Sequence, residues 1–283
     1  MTATLHHTLV SGPSSRAART VVVLHGILGS GKNWRGFCRR LLRARPEWQF
    51  VLPDLRHHGQ SQGATGPNTV EACVEDVNAL CDANGWRPAV VIGHSFGGKV
   101  ALATAAKLPT PAQSVWALDT PPGRRGAGAR GPGSEVGRVL ATLEAIPTPV
   151  ATREEVHQGL LEAGFSPALG AWMTTNLRAT DDGFVWRFDL EAVEALITDY
   201  FDLDLWPAIR AWPSHTHLNL LAAGQGGRWT SLDRTLAKAA AASGGVRFFT
   251  LPESGHWVHV DAPDALAGLL VADLAEIESK MAS

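Results

Sequence analysis

The chain predicts an α/β fold: a mostly parallel central sheet with helices on both faces and an inserted helical segment. Short β-branched runs alternate with amphipathic stretches over the first 120 residues, and strands alternating with helices at this rhythm pair in parallel and are covered on both sides. The rhythm breaks over Pro121–Pro213, where no buried strand pattern is visible. It resumes from residue 214 to the end.

The elements follow in order. Leu5–Val10 reads as an edge strand, and Thr20–Leu24 as a buried strand that meets a loop at His25-Gly26. Asn33–Arg45 reads as a helix ended by Pro46, and Phe50–Leu52 as the next strand. A loop rich in Gly, His and Gln spans 54–66. Val70, Cys73, Val74, Val77, Leu80 and Cys81 recur at helical spacing, and Gly85 marks that helix's end. Ala89–Ile92 is a strand running into Gly93-His-Ser-Phe-Gly97; an alanine-rich helix over Lys99–Leu108 follows, stopped by Pro109. Ser114–Leu118 is a strand ending at Asp119. Inside the insertion, Gly123–Gly133 reads as a flexible linker, followed by helical patches at Val136–Ile146, Glu154–Ala163 and Leu190–Ile197. Leu218–Ala222, Ser231–Ala242, Val246–Leu251 and Pro263–Ile277 complete the alternation as strand, helix, strand, helix. The expected division is a core of 1–120 and 214–283 with a helical cap over 121–213.

Composition narrows the function classes. Hydrophobic residues at 45% suit a substantial core, and a net charge of -2 offers no field for nucleic acid or an anionic membrane. No run approaches the ~18 apolar residues of a membrane span. The first ten residues lack the basic-then-apolar order of a signal peptide. Cys38, Cys73 and Cys81 make no disulfide framework; on one helix, Cys73 and Cys81 stand roughly 12 Å apart, beyond bridging distance. A reducing compartment fits, so the expected location is the cytoplasm, or an organelle matrix where a transit peptide has been removed.

Three segments carry chemistry. Gly93-His-Ser-Phe-Gly97 lies between a strand and a helix, the context of a nucleophile elbow, with Ser95 raised above the sheet on a tight turn. His25-Gly26-Ile27-Leu28-Gly29-Ser30 follows an earlier strand. An acyl-transfer oxyanion needs two backbone N–H donors, and Ile27 and Phe96 are placed to supply them. Gly255-His256-Trp257 follows the last strand, so His256 reaches the sheet's C-terminal edge as general base, with His259 supporting the loop. The acid must lie between serine and histidine in the chain. Asp119, at a strand end, is favoured over Asp233, which reads as a helix-start residue. His25, Leu28, His94 and Trp257 flank these positions as pocket residues; the other tryptophans read mostly as packing. The pairs His6/His7, His57/His58 and His215/His217 lack acids or cysteines at metal-ligand spacing, so no metal is expected. Arg124, Arg125 and Arg130 read as solvated linker rather than an anion site.

Taken together, four segments carry a family resemblance. They are His25-Gly-Ile-Leu-Gly-Ser30 with Asn33-Trp34, Asp54-Leu-Arg-His-His-Gly-Gln-Ser61, Gly93-His-Ser-Phe-Gly-Gly-Lys99, and Gly255-His-Trp-Val-His259 followed by Pro263. With them the chain resembles the α/β-hydrolase superfamily over nearly its whole length, and within it the bacterial YbfF-type esterases and their mitochondrial abhydrolase relatives. The resemblance implies an α/β-hydrolase fold. It also implies Ser95, Asp119 and His256 as nucleophile, acid and base, and hydrolysis of short acyl esters or thioesters without a cofactor. Phe96 departs from the Met of many relatives, and the Gly/Arg-rich opening of the cap departs as well.

The expected function is a carboxylesterase-type serine hydrolase acting on a small-molecule ester or thioester of short to medium acyl chain through an acyl-enzyme on Ser95. No nucleic-acid partner and no membrane span are expected, and the assembly is a monomer or homodimer. Two other classes share the pattern: a C–C bond hydrolase or lyase of the same fold, and a hydrolase-like ligand receptor.

Overall fold

Val21, Val22 and Val23 alternate between two apolar layers, and that period of two organises the molecule. A computed structural model describes residues 2–12, 19–105, 107–108, 110–129, 131, 134–225 and 227–282. Its main sheet has seven strands: β1 (His7–Ser11), β2 (Arg19–Leu24), β3 (Trp48–Pro53), β4 (Pro88–His94), β5 (Ser114–Leu118), β8 (His217–Ala223) and β9 (Val246–Leu251). A separate hairpin pairs β6 (Leu177–Thr180) with β7 (Gly183–Trp186). The spatial order is β1-β3-β2-β4-β5-β8-β9, with β1 antiparallel to β3 and the other pairs parallel.

Helices α1 (Arg35–Ala44) and α11 (Pro263–Ala282) cover one face, over Val21, Val23, Ile92 and Trp116. Helices α2 (Val70–Ala83), α3 (Phe96–Ala105) and α9 (Ser231–Ala242) cover the other, over Val22, Val91 and Leu220. Two buried indoles find polar partners on α11: Trp116 donates to Asp273 at 2.8 Å and Trp48 to Glu278 at 2.6 Å. A buried Trp is thereby satisfied and the last helix is fixed in register.

The order in which strands are added reverses between β2 and β4. From β2 the chain moves outward to β3, then crosses back to β4 on the other side. Ligands of open α/β sheets bind where strand order reverses, at the carboxyl ends. Here that crevice lies between the His25–Ser30 loop and Ser95.

The segment between β5 and β8 holds α4 (Glu135–Ala145), α5 (Arg153–Glu162), α6 (Pro167–Thr174), the β6–β7 hairpin, α7 (Leu190–Asp202) and α8 (Trp206–Arg210). The hairpin, α6 and α8 go beyond the helical patches expected. Asp181-Asp182-Gly183 turns the hairpin, with Gly183 at φ +127°, but its strands have four residues each and are mostly half-exposed, too short for a period-two signal. The short α10 (Val258–Asp261) was likewise unexpected.

Several boundaries differ. The edge strand starts at His7 rather than Leu5, Gly31–Trp34 is a 3₁₀ turn ahead of α1, and α3 begins at Phe96 rather than Lys99. Pro109, expected to stop α3, lies outside the described residues, as do Arg130, Pro132 and Gly133 of the expected linker. The described part of that linker is anchored rather than free. The Arg125 amide donates to Phe201 O at 2.7 Å, Arg124 Nε to Asp202 O at 2.8 Å, and the Arg125 guanidinium meets Asp233 at 3.1 Å. Buried Lys99 donates to the carbonyls of Gly123, Tyr200 and Leu203 at 3.0, 2.7 and 2.6 Å. A residue of α3 thus ties both ends of the insertion to the core. Among the described residues no helix is long and apolar enough to cross a membrane.

Candidate active site

Ser95 adopts a left-handed backbone, φ +53°, between β4 and α3. That geometry is strained for a residue with a Cβ and persists only where its surroundings enforce it. The surroundings are tight: a Cβ on Gly93 would overlap the Gly97 carbonyl, and one on Gly97 would lie 2.5 Å from the Leu24 and His25 carbonyl oxygens. The Ser95 amide donates to Leu118 O at 3.0 Å, and the Thr120 hydroxyl donates to Ser95 O at 3.0 Å. The turn is therefore held against the end of β5 while the side chain stays half-exposed.

Asp119 and His256 meet. The His256 Nδ1–H donates to Asp119 Oδ2 at 2.7 Å, and the Ala223 amide donates to Asp119 Oδ1 at 3.0 Å. The carboxylate is 1% exposed. Asp233, the alternative acid, sits at the third position of α9. There its Oδ2 accepts from the Thr230 amide and hydroxyl at 3.0 and 2.6 Å, with Arg125 beside it. Its carboxylate closes a capping box and does not approach His256. Burial pushes Asp119 up from the usual carboxylate value and pushes His256 well below 6.5, with the Arg228 charge adding to the second shift. His256 is therefore a neutral, acceptor-bearing imidazole at neutral pH, with Nδ1–H committed to Asp119 and Nε2 left for a proton.

His94 holds the histidine loop from below by donating Nε2–H to the His256 carbonyl at 2.8 Å. His259 stacks on Trp34 with ring centroids 4.0 Å apart, and burial lowers its pKa to about 4.

A cavity of about 280 Å³ opens beside Ser95, lined by Ser95, His256 and all four expected pocket residues, His25, Leu28, His94 and Trp257. Among the described residues no hydrogen bond joins the Ser95 hydroxyl to His256. A second cavity of about 350 Å³ also borders Ser95, with Phe96 and Ile27 in its lining. Phe96 is the first residue of α3, so its amide has no acceptor within the helix. The Ile27 amide makes no hydrogen bond to another described residue.

The loop after β2 is shaped by histidines whose structural role the sequence did not disclose. Leu28 is left-handed, φ +61°, and its amide donates to His58 Nε2 at 3.1 Å. His25 donates Nδ1–H to Gly26 O at 2.7 Å and accepts the Leu55 amide at Nε2, 2.9 Å. Asp54 takes the Gly31 and Gln60 amides at 2.8 and 2.9 Å. Arg56 pairs with Asp76 at 2.7 Å, both fully buried. The signal available was the Asp54–Ser61 segment itself, where six polar side chains follow a buried strand; which backbone groups they clamp depends on the fold.

One acidic cluster, His217, Asp273 and Glu276, has ligand atoms within 4.8 Å of one another. Lys280 and Arg247 already bond Glu276 and hold its pKa at about 2. It is a salt-bridge network facing away from Ser95's end of the sheet.

Residues 19–263 match the family model described as alpha/beta hydrolase fold. Mouse sn-1-specific diacylglycerol lipase ABHD11 is 26% identical over 281 residues, covering 96% of this chain and 85% of that protein. Escherichia coli esterase YbfF is 28% identical over 254 residues, covering 87% and 89%. The solved structure of a marine microorganism esterase superposes with a TM-score of 0.80 at 24% identity, over 96% of this chain and 99% of that one. Sheet order, elbow and whole-length similarity agree: the chain belongs to the α/β-hydrolase family.

Proposed function

We propose that this protein is a serine hydrolase that cleaves carboxylic esters or thioesters of short to medium acyl chain. The observation that carries the reading is the Asp119–His256 hydrogen bond of 2.7 Å, made by two loops that flank the strained Ser95 turn. In this reading His256 Nε2 takes the Ser95 hydroxyl proton as Oγ attacks the substrate carbonyl. The oxyanion is held by the Ile27 and Phe96 amides, the second at a helix start where the dipole adds to the field. Asp119 keeps the imidazole in the Nδ1–H tautomer and stabilises the imidazolium. The imidazolium then gives its proton to the leaving oxygen or sulfur, leaving an acyl-enzyme. Water deprotonated by His256 attacks it, and the carboxylic acid and free serine are released.

Residues 121–213 act as a cap in this reading, since Val136, Leu140, Leu169 and Trp172 from that segment line the cavity beside Ser95. The names of the relatives, a lipase and an esterase, point to the same bond type. Buried free thiols at Cys38, Cys73 and Cys81 suit a reducing compartment, which we take to be the cytoplasm.

The test is a p-nitrophenyl ester series from acetate to palmitate with wild type and Ser95→Ala. Turnover in the wild type that disappears in the variant supports the reading. No turnover on any ester would replace it with C–C bond cleavage or ligand binding.

A further inference from the structure

The two cavities meet at the nucleophile. Both are bordered by Ile27, Ser95, Glu135, Val136 and Arg228. Their chemistry differs. The first carries His256, so a leaving group that must receive its proton from His256 lies there. The acyl portion is then directed into the second cavity, where Phe96, Tyr200 and Phe201 form an apolar wall and Arg125, Arg228 and Glu135 the polar rim.

An arginine pair beside an apolar slot is an unusual lining for a plain hydrocarbon chain. Arg125 is committed: it meets Asp233 at 3.1 Å and donates to the Arg228 carbonyl, which fixes the loop bearing Arg228. Arg228 is less committed. Its Nη2 meets Glu135 at 2.8 Å, and its Nε and Nη1 have no partner among the described residues. Glu135 is the first residue of α4 and its side chain is 62% exposed, so it is a counter-ion that water can replace. Both carboxylate-matching forks of a guanidinium use Nη2, with either Nε or Nη1 beside it, so a substrate carboxylate completes the fork when Glu135 gives up Nη2.

We propose that the second cavity is an acyl subsite selective for chains ending in a carboxylate, that is, half-esters or half-thioesters of dicarboxylic acids, with Arg228 binding the carboxylate and Glu135 as the counter-ion it leaves. The proposal rests on the serine-hydrolase reading and names the substrate class for that site.

The experiment compares three esters: phenyl pentanoate, monophenyl glutarate with the charge on the acyl chain, and 4-carboxyphenyl pentanoate with the charge on the leaving group. Each is assayed with wild type, Arg228→Gln, Arg228→Lys and Glu135→Gln. The readout is the kcat/KM ratio of charged to neutral ester, compared between wild type and variant so that the intrinsic reactivity of each ester cancels. The expected result is a glutarate-to-pentanoate ratio that falls about 10-fold or more in Arg228→Gln, recovers in part in Arg228→Lys, and rises in Glu135→Gln, where the competing carboxylate is gone. The opposite directions of Arg228→Gln and Glu135→Gln separate recognition from misfolding. A ratio unchanged by Arg228→Gln overturns the subsite. A ratio that falls for 4-carboxyphenyl pentanoate instead overturns its acyl-side placement. No hydrolysis of any of the three, nor of p-nitrophenyl acetate, removes the serine-hydrolase reading and the subsite with it.

Discussion

Ser95 and Asp119 leave the sheet side by side, both in the left-handed backbone region, at φ +53° and +46°. Their strands are in register through His94 and Leu118, and the Ser95 amide closes on the Leu118 carbonyl. Two strained residues therefore share one support, the C-terminal edge of β4 and β5. Strain of this kind costs about 1–3 kcal/mol per residue and gathers where a fold over-determines a site.

The acid assignment makes a paired prediction. Asp119→Asn should lower kcat by about 10² to 10⁴, because the imidazole loses the partner that sets its tautomer. Asp233→Asn should leave kcat within about threefold while lowering stability by about 1 kcal/mol through the α9 capping box. Steady-state kinetics and urea denaturation of both variants check it; a severe kinetic defect in Asp233→Asn would reverse the assignment.

The pH profile follows from His256. Its pKa lies well below 6.5 because burial and the Arg228 charge oppose the imidazolium. The base stays neutral as pH falls through 6.5, so the acid limb of kcat/KM should lie below that value. Arg228→Gln should move the limb upward. A limb at or above 6.5 in the wild type would show that His256 titrates as an ordinary solvated imidazole.

Acid stability depends on two buried histidines. His58 and His259 are held neutral by burial, with pKa values of about 3 and about 4. Their folded values lie below the unfolded 6.5, so the unfolded state binds more protons as pH falls. Stability is complete above pH 6.5 and should decline below it, by about 1.4 kcal/mol per pH unit for each histidine, until the folded pKa is reached. Protonating His58 also removes the acceptor of the Leu28 amide, loosening the loop beside Ser95. Urea midpoints at pH 7, 6 and 5 measure the slope, which should be shallower in His58→Gln.

Lys99 should matter to the insertion more than to the sheet. Lys99→Met leaves two buried carbonyls and a half-buried one without their donor, a loss of roughly 3 kcal/mol or more. Limited proteolysis should cut within 123–205 before it cuts the core. Simultaneous digestion of both would mean that the insertion is held by packing alone.

Much of the fold was legible in order along the chain. Thr20–Leu24, Ala89–Ile92 and Ser114–Leu118 are β-branched or apolar runs of strand length, and Ser231–Ala242 carries its own capping box. The elbow was legible for the same reason: Gly93 and Gly97 are demanded by neighbours within four residues and by the adjacent strand. The β6–β7 hairpin escaped because four-residue strands carry too little periodicity, and the linker was misread because glycine and arginine look solvated until their partners are known.

The sequence by itself determined the alternation of elements, the place of Ser95 on a turn between strand and helix, and a histidine after the last strand, because each rests on sterics and periodicity among near neighbours. The tertiary structure decided which groups meet. Asp119 reaches His256 across 137 residues, Lys99 binds Leu203 across 104, and Arg228 meets Glu135 across 93. Those pairs depend on strand order and on where the insertion folds back, and both are set by the burial of whole faces rather than by any local run of residues.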